Sequence, residues 1–171
     1  MARCLIISHW RIMFKEQDKQ LTAEQAKEKA LRLLEFRSHS QQELSQKLRR
    51  AGAQKEDIES ILAFCREYHL VDDRDYAKRL ARDLCNLKKY GKRRIRSELY
   101  NRGISAEDVE EALAEIEDSE DVLLELVRKR LRGNFEQKNK DKIIRYFTYR
   151  GYDVYQIKTC IEQLEGEEDG I

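Results

Sequence analysis

A chain of 171 residues is long enough for one or two domains with real cores, and its 39% charged side chains sum to only +1, which excludes a uniformly charged polyelectrolyte. Mean hydropathy of −0.82 would suit a disordered chain, yet 40% of the residues are apolar and recur at helical spacing. Proline is absent and strand-like alternation is missing beyond the first fifteen residues, so the chain reads as all-α.

In chain order, the apolar start CLIISHWRIMF is too short to span a bilayer, is broken by His9 and Arg11, and lacks a small-residue cleavage site. A cytoplasmic protein with an N-terminal arm over 1–21 is expected. Four cysteines, Cys4, Cys65, Cys85 and Cys160, lie far apart without a C-x-x-C pair. Two disulfides are arithmetically possible, but buried free thiols in a reducing compartment fit better.

The remaining chain is a threefold repeat. Aligning Gly52, Gly103 and Gly151 places Leu48, Leu99 and Phe147 four residues earlier, and Leu44, Ile95 and Ile143 eight earlier. Ile58, Val109 and Ile157 follow six residues after each glycine, and Leu62, Leu113 and Ile161 follow after ten. The first unit, 22–71, predicts helices over 22–36, from Ser40 to Gly52, and over 54–69. Thr22-x-x-Gln25 and Ser40-x-x-Glu43 are capping boxes at two of their starts. The second unit, 72–117, predicts helices over 73–87, from Gly91 to Gly103, and over 105–117 with Ser105 as cap. The third, 118–165, predicts helices over 119–132, from Asn139 to Gly151, and over 153–165 with Asp153 as cap. An acidic tail, 166–171, follows. Each aligned glycine suits the left-handed position that closes a helix. Units of this size bury modest cores alone, so three tandem three-helix, helix-turn-helix-like repeats stacked into an elongated, curved solenoid are expected.

Charge is segregated along this repeat. From Arg74 to Arg102 there are eleven basic residues against three acids, a net +8; from Ile104 to Asp121 there are nine acids and no base. Lys88, Lys89, Lys92, Arg93, Arg94, Arg96 and Arg102 crowd the start and course of the central helix, whose inward stripe is Ile95 and Leu99. Lys47, Arg49 and Arg50 hold corresponding places in the first unit, and Lys142, Arg145 and Arg150 in the third. Together they suggest a basic track for a polyanion or an acidic groove. Arg49, Arg50 and Arg102 also suit a helix C-terminus electrostatically; Lys92, Arg93 and Arg94 crowd an N-terminus, where the dipole repels them. Arg93 and Arg94 are expected to be exposed, so that reversing both charges would spare the fold. Operator-type binding through a third helix is disfavoured, because SAEDVEEALAEIED is strongly acidic.

The segments RSHSQQELSQKL, LVDDRDYA, GKRRIRSELYNRGI and YRGYDVYQI, in this order, resemble the RecX family over about 22–165. The resemblance implies a modulator, usually an inhibitor, that lodges in the groove of the RecA–single-stranded DNA filament and depresses its ATPase, strand-exchange and coprotease activities. It would set Lys92, Arg93, Arg94 and Arg96 toward that groove. Gly91, Ile95, Leu99 and Gly103 match as scaffold, and Asp72 and Asp73 match the family's acidic pair. A monomer without cofactor or metal is expected, acting in DNA repair. Cys65 and His69, four apart, lack two further ligands at suitable spacing. Tyr146, Tyr149, Tyr152 and Tyr155 suit packing better than base stacking. No phosphate loop, nucleophile elbow or carboxylate pair suggests catalysis. The rival readings are a nucleic-acid-binding module without sequence preference or RecA contact, and a helical adaptor for an acidic protein.

Overall fold

A computed structural model describes residues 20–116 and 120–169 of the chain; the expected N-terminal arm lies almost wholly outside them. Nine helices and no strand occur among the described residues. They are α1 (Ala23–Phe36), α2 (Gln41–Arg50), α3 (Lys55–Glu67), α4 (Asp73–Asn86), α5 (Lys92–Tyr100), α6 (Ala106–Ala114), α7 (Glu120–Leu131), α8 (Gln137–Tyr149) and α9 (Val154–Asp169). The chain divides into two compact units, one ending at Asp72 and the other beginning at Asp73.

The first unit holds α1–α3. Both expected capping boxes form: Thr22 and Ser40 each accept from the backbone N–H three residues on, and Gln25 and Glu43 reach back to the cap N–H groups. Ala26, Ala30, Leu44, Leu48, Ile58, Ile61 and Cys65 close the core. Small residues on α1 let that helix approach the other two. Leu62, expected inside, is only half-buried, because α3 turns its neighbour Ile61 fully inward. Beneath the Ser40 cap, His39 is 2% exposed, and its Nδ1 lies 2.8 Å from the Arg37 carbonyl. Its Nε2 has no partner among the described residues. Burial holds the imidazole below its ordinary pKa.

The second unit contains two such three-helix groups. α4–α6 enclose Ala77, Ala81, Ile95, Leu99, Val109 and Leu113, whereas α7–α9 enclose Leu123, Val127, Ile143, Phe147, Ile157 and Ile161. One turn recurs in all three groups of the chain. Gly52, Gly103 and Gly151 each donate to the carbonyl three residues earlier, and the next residue donates to the carbonyl of Leu48, Leu99 or Phe147. All three glycines have positive φ, from 73° to 93°. The aligned glycine and the buried residue four before it are thus the two ends of one closing motif. Asn139 departs from the expected parallel: α8 starts two residues earlier, at Gln137, and Asn139 lies inside its first turn. The Asn139 amide donates instead to the carbonyls of Asn134, at 2.7 Å, and Leu131, at 3.5 Å, satisfying the end of α7.

The two groups of the second unit meet backbone to backbone. Gly91, the residue before α5, has no side chain with which to cap. Its N–H donates to the Arg150 carbonyl at 2.9 Å, and the Arg93 N–H donates to the Gly151 carbonyl at 3.3 Å. The closing turn of α8 therefore takes up unpaired N–H groups of α5. A Cβ at Gly91 would fall 2.7 Å from the Tyr152 nitrogen, and one at Gly151 would fall 2.9 Å from the Arg94 Cα. Tyr152 reinforces the joint, donating from its hydroxyl to the Lys89 carbonyl at 3.3 Å. Burial pushes its pKa up to about 12.

Three outcomes follow from this packing. Leu99→Ala, at a site with no exposed surface, costs about 2–5 kcal/mol in denaturant unfolding. Gly151→Ala combines a φ of 93° with a backbone clash and costs more than about 1 kcal/mol in the same measurement. For His39, the depressed pKa favours the neutral native form, so its contribution is fully present above the unfolded value of about 6.5 and declines as pH falls below it. The thermal midpoint should drop on acidification through that window, and His39→Phe should flatten the drop.

Candidate polyanion interface

Much of the basic run on α5 is already partnered. Arg93 donates to Asp153 Oδ2 at 2.5 Å, tying α5 to the cap of α9. Asp153 Oδ1 meanwhile accepts from the Tyr155 N–H, which confirms it as a cap acceptor. Arg94 is half-buried rather than exposed: its guanidinium lies 2.7 Å from Glu98 and 5.4 Å from the Tyr149 ring centroid. Arg96 grips Glu110 of α6 with two bonds of 2.8 and 2.9 Å. Arg102 donates to Glu98 Oε2 at 3.0 Å and to the Glu98 carbonyl at 2.7 Å. Arg93 is exposed as expected, whereas Arg94 is not; reversing both would set carboxylates against Asp153 and Glu98 in place of two solvent-accessible ion pairs.

The acidic helix α6 explains the segregation of charge. Glu111 accepts from Arg74 and lies 2.9 Å from Lys78, while Glu115 lies 2.6 Å from the same lysine. Glu110 takes Arg96. Hydrogen bonds from Arg74 and Lys78 hold the Glu111 carboxyl down to about 2, and those from Arg102 and Arg96 lower Glu98 and Glu110. Arg74, Lys78, Arg82 and Arg96 of the basic stretch thus face Glu110, Glu111 and Glu115 of the acidic one inside one three-helix group. Each exposed pair contributes little alone, but together they fix α4 and α5 against α6.

The remaining expected residues of the second unit separate into two settings. Lys92 and Arg93 line a cleft of about 770 Å³ whose walls also carry Glu115, Asp121 and Asp153. Cys85 and Cys160 lie on the same cleft as reduced thiols, the state that Cys65 also has in the first unit. The charge of this cleft is mixed. Lys88, Lys142 and Arg150 instead line a groove of about 700 Å³, together with Lys129, Arg130, Arg132 and Lys89, which borders both spaces. No Asp or Glu appears among its lining residues. Arg145 lies outside this lining, with its Nε donating to the Asp141 carbonyl at 3.3 Å. Lys140 is likewise turned away, held at 2.6 and 2.7 Å by Glu165.

The groove is built as well as charged. The Arg130 guanidinium lies 3.6 Å from the Tyr146 ring centroid, and that of Arg150 lies 4.9 Å from the same ring. Arg150 also donates to the Lys88 carbonyl at 2.5 Å, which fixes its fork. Arg130, Lys129 and Arg132 sit on or just after the first helix of their group, a position outside the expected track. The sequence signal was present as VRKRLR, 127–132, where Arg128 pairs with Glu125 and Glu167, and Lys129 also reaches Glu125 at 4.0 Å. Lys47, Arg49 and Arg50 lie on α2 of the first unit, with Arg49 and Arg50 exposed in its last turn. Among the described residues no group of three or more potential metal ligands occurs, and no helix is long and apolar enough to cross a membrane.

Known proteins match most of the chain. The family model for the second three-helix domain of RecX matches residues 72–113, and the model for the first three-helix domain matches 26–65. The regulatory protein RecX of Vibrio parahaemolyticus is 37% identical over 148 residues, covering 85% of this chain and 95% of that protein. That of Vibrio vulnificus is 39% identical over 138 residues, covering 79% and 90%. Among solved structures, RecX from Lactobacillus salivarius matches with a TM-score of 0.73 at 22% identity, over 84% of this chain and 96% of that one, which supports the fold. The helical groups, the glycine-closed turns and the sequence relationship agree: the chain belongs to the RecX family of regulatory proteins.

Proposed function

We propose that the chain is a cytoplasmic, non-enzymatic regulator that seats on the RecA–single-stranded DNA filament and lowers its ATPase, strand-exchange and coprotease activities. Membership of a regulatory family supports this reading, and the acid-free basic groove of the second unit carries it. A filament presents phosphates along an extended path, and a fixed set of forked and point cations meets them without a requirement for base sequence. α5, with its cations paired internally, holds the shape of the unit, while the groove collects cations with no carboxylate in its lining.

A second reading, a nucleic-acid-binding module without a RecA contact, is favoured by the same groove, because phosphate neutralisation alone would suffice for binding. The two differ in what they require of the filament.

Titration of the chain onto preformed filaments, followed by DNA-dependent ATP hydrolysis at two salt concentrations, tests the first reading. ATPase should fall at substoichiometric protein. Unchanged hydrolysis across the full titration would sink it. Parallel binding to naked oligonucleotide separates the second reading, which predicts equal, steeply salt-dependent affinity for both forms of DNA.

A further inference from the structure

We propose that the end of α9 is an autoinhibitory counter-charge: Glu165, Glu167 and Glu168 occupy the border of the basic groove, and a polyanion gains full access only when they let go. This rests on the groove being the polyanion surface proposed above, and adds a regulation of that surface from within the chain.

The length of α9 is the first observation. The helix that follows the aligned glycine has 13 residues in α3 and 9 in α6, against 16 in α9. Leu164 is the last buried residue of α9, so core packing does not account for the turn beyond it. Local preference opposes that turn as well. Glu165, Glu167 and Glu168 stand at a helix C-terminus, whose dipole disfavours carboxylates, and no basic residue lies in the last turn. Gly166 sits among them inside the helix, which it weakens relative to alanine. Nothing lies within 4 Å of a Cβ at that position, so close packing does not call for glycine there.

What holds the extension is charge. Glu165 accepts from the Lys140 ammonium at 2.6 and 2.7 Å, and Glu167 Oε2 accepts from Arg128 at 3.1 Å. Glu168 Oε1 lies 3.1 Å from where a Cβ on Gly133 would stand. All three points adjoin the groove lining in sequence: Arg128 precedes Lys129, Gly133 follows Arg132, and Lys140 follows Asn139. The acids therefore border the groove without entering its lining. Two cations that would extend its field are neutralised, and the field across it is lowered. Both ion pairs are partly exposed, which makes them weak enough to exchange for another anion. Gly166 loosens the same turn and eases the release.

The test titrates the full chain into dye-labelled oligothymidylate, with anisotropy read over a range of salt. Three variants are compared with the native chain. One combines Glu165→Gln, Glu167→Gln and Glu168→Gln, the second adds Arg128→Gln and Lys140→Gln to these, and the third is Gly166→Ala. Two recovered phosphate contacts should steepen the slope of log K against log salt by about 1.4 in the triple variant, which amounts to about 25-fold tighter binding at about 0.1 M salt. Removing Arg128 and Lys140 from that background should return the slope to the native value. Gly166→Ala should bind about threefold more weakly, because it firms the turn that has to let go. A control carrying Glu24→Gln, Glu35→Gln and Glu67→Gln, all exposed acids of the first unit, changes net charge equally and should keep the native slope. An equal gain in the control overturns the proposal. A triple variant that binds no more tightly than the native chain overturns it too, including the case in which neither binds. The filament reading is judged apart: ATPase inhibition by the native chain without a gain in the triple variant overturns the counter-charge alone, and a gain without inhibition overturns the filament reading alone.

Discussion

The second unit is organised by a conflict at the start of α5. Lys92, Arg93 and Arg94 stand where a helix dipole repels cations, so the helix requires acids from elsewhere. Asp153 supplies one from just before α9, Glu98 another from the next turn, and Glu110 of α6 takes Arg96. Glu111 and Glu115 do the same for Arg74 and Lys78 of α4. An acidic helix placed third in the group is thus an internal counterion, and the near-neutral sum of the chain reflects pairing inside a fold.

Once those pairs are made, the groove free of carboxylates lies beside α5 rather than on it. Arg93 and Arg96 act mainly as clamps, whereas Lys88, Lys89 and Arg150 combine with α7 to make a groove with no carboxylate in its lining. A segment's charge density and its availability are different quantities. Availability depends on what the tertiary structure sets opposite.

The fold was legible because its signals are local. Gly52, Gly103 and Gly151 mark chain reversals that depend on φ, and Leu48, Leu99 and Phe147 mark the carbonyls those reversals close upon. Capping residues at Thr22, Ser40 and Ser105 act within three residues of themselves. Asn139 shows the limit: it has a cap's chemistry but serves the preceding turn, a choice made by the Asn134 and Leu131 carbonyls. The candidate site was less legible for the same reason. Lys88 and Lys89 were recognisable from the density of the basic run, and Lys142 and Arg150 from the repeat. The part played by Arg130 and Arg132 depends on α7 lying beside α8, and that of Glu110 on α6 lying beside α5, neither of which periodicity reveals.

The contact of Gly91 with the Arg150–Gly151 turn has a further consequence. Because it is made of peptide groups, with glycine on both sides, this part of the joint between two neighbouring helical groups depends on backbone, to which the Arg93, Arg150 and Tyr152 side chains add their own bonds. A substitution that leaves both glycines in place therefore leaves the backbone part of the joint intact. A Cβ on either glycine would push the two groups apart, so the splice is a steric requirement on just two positions.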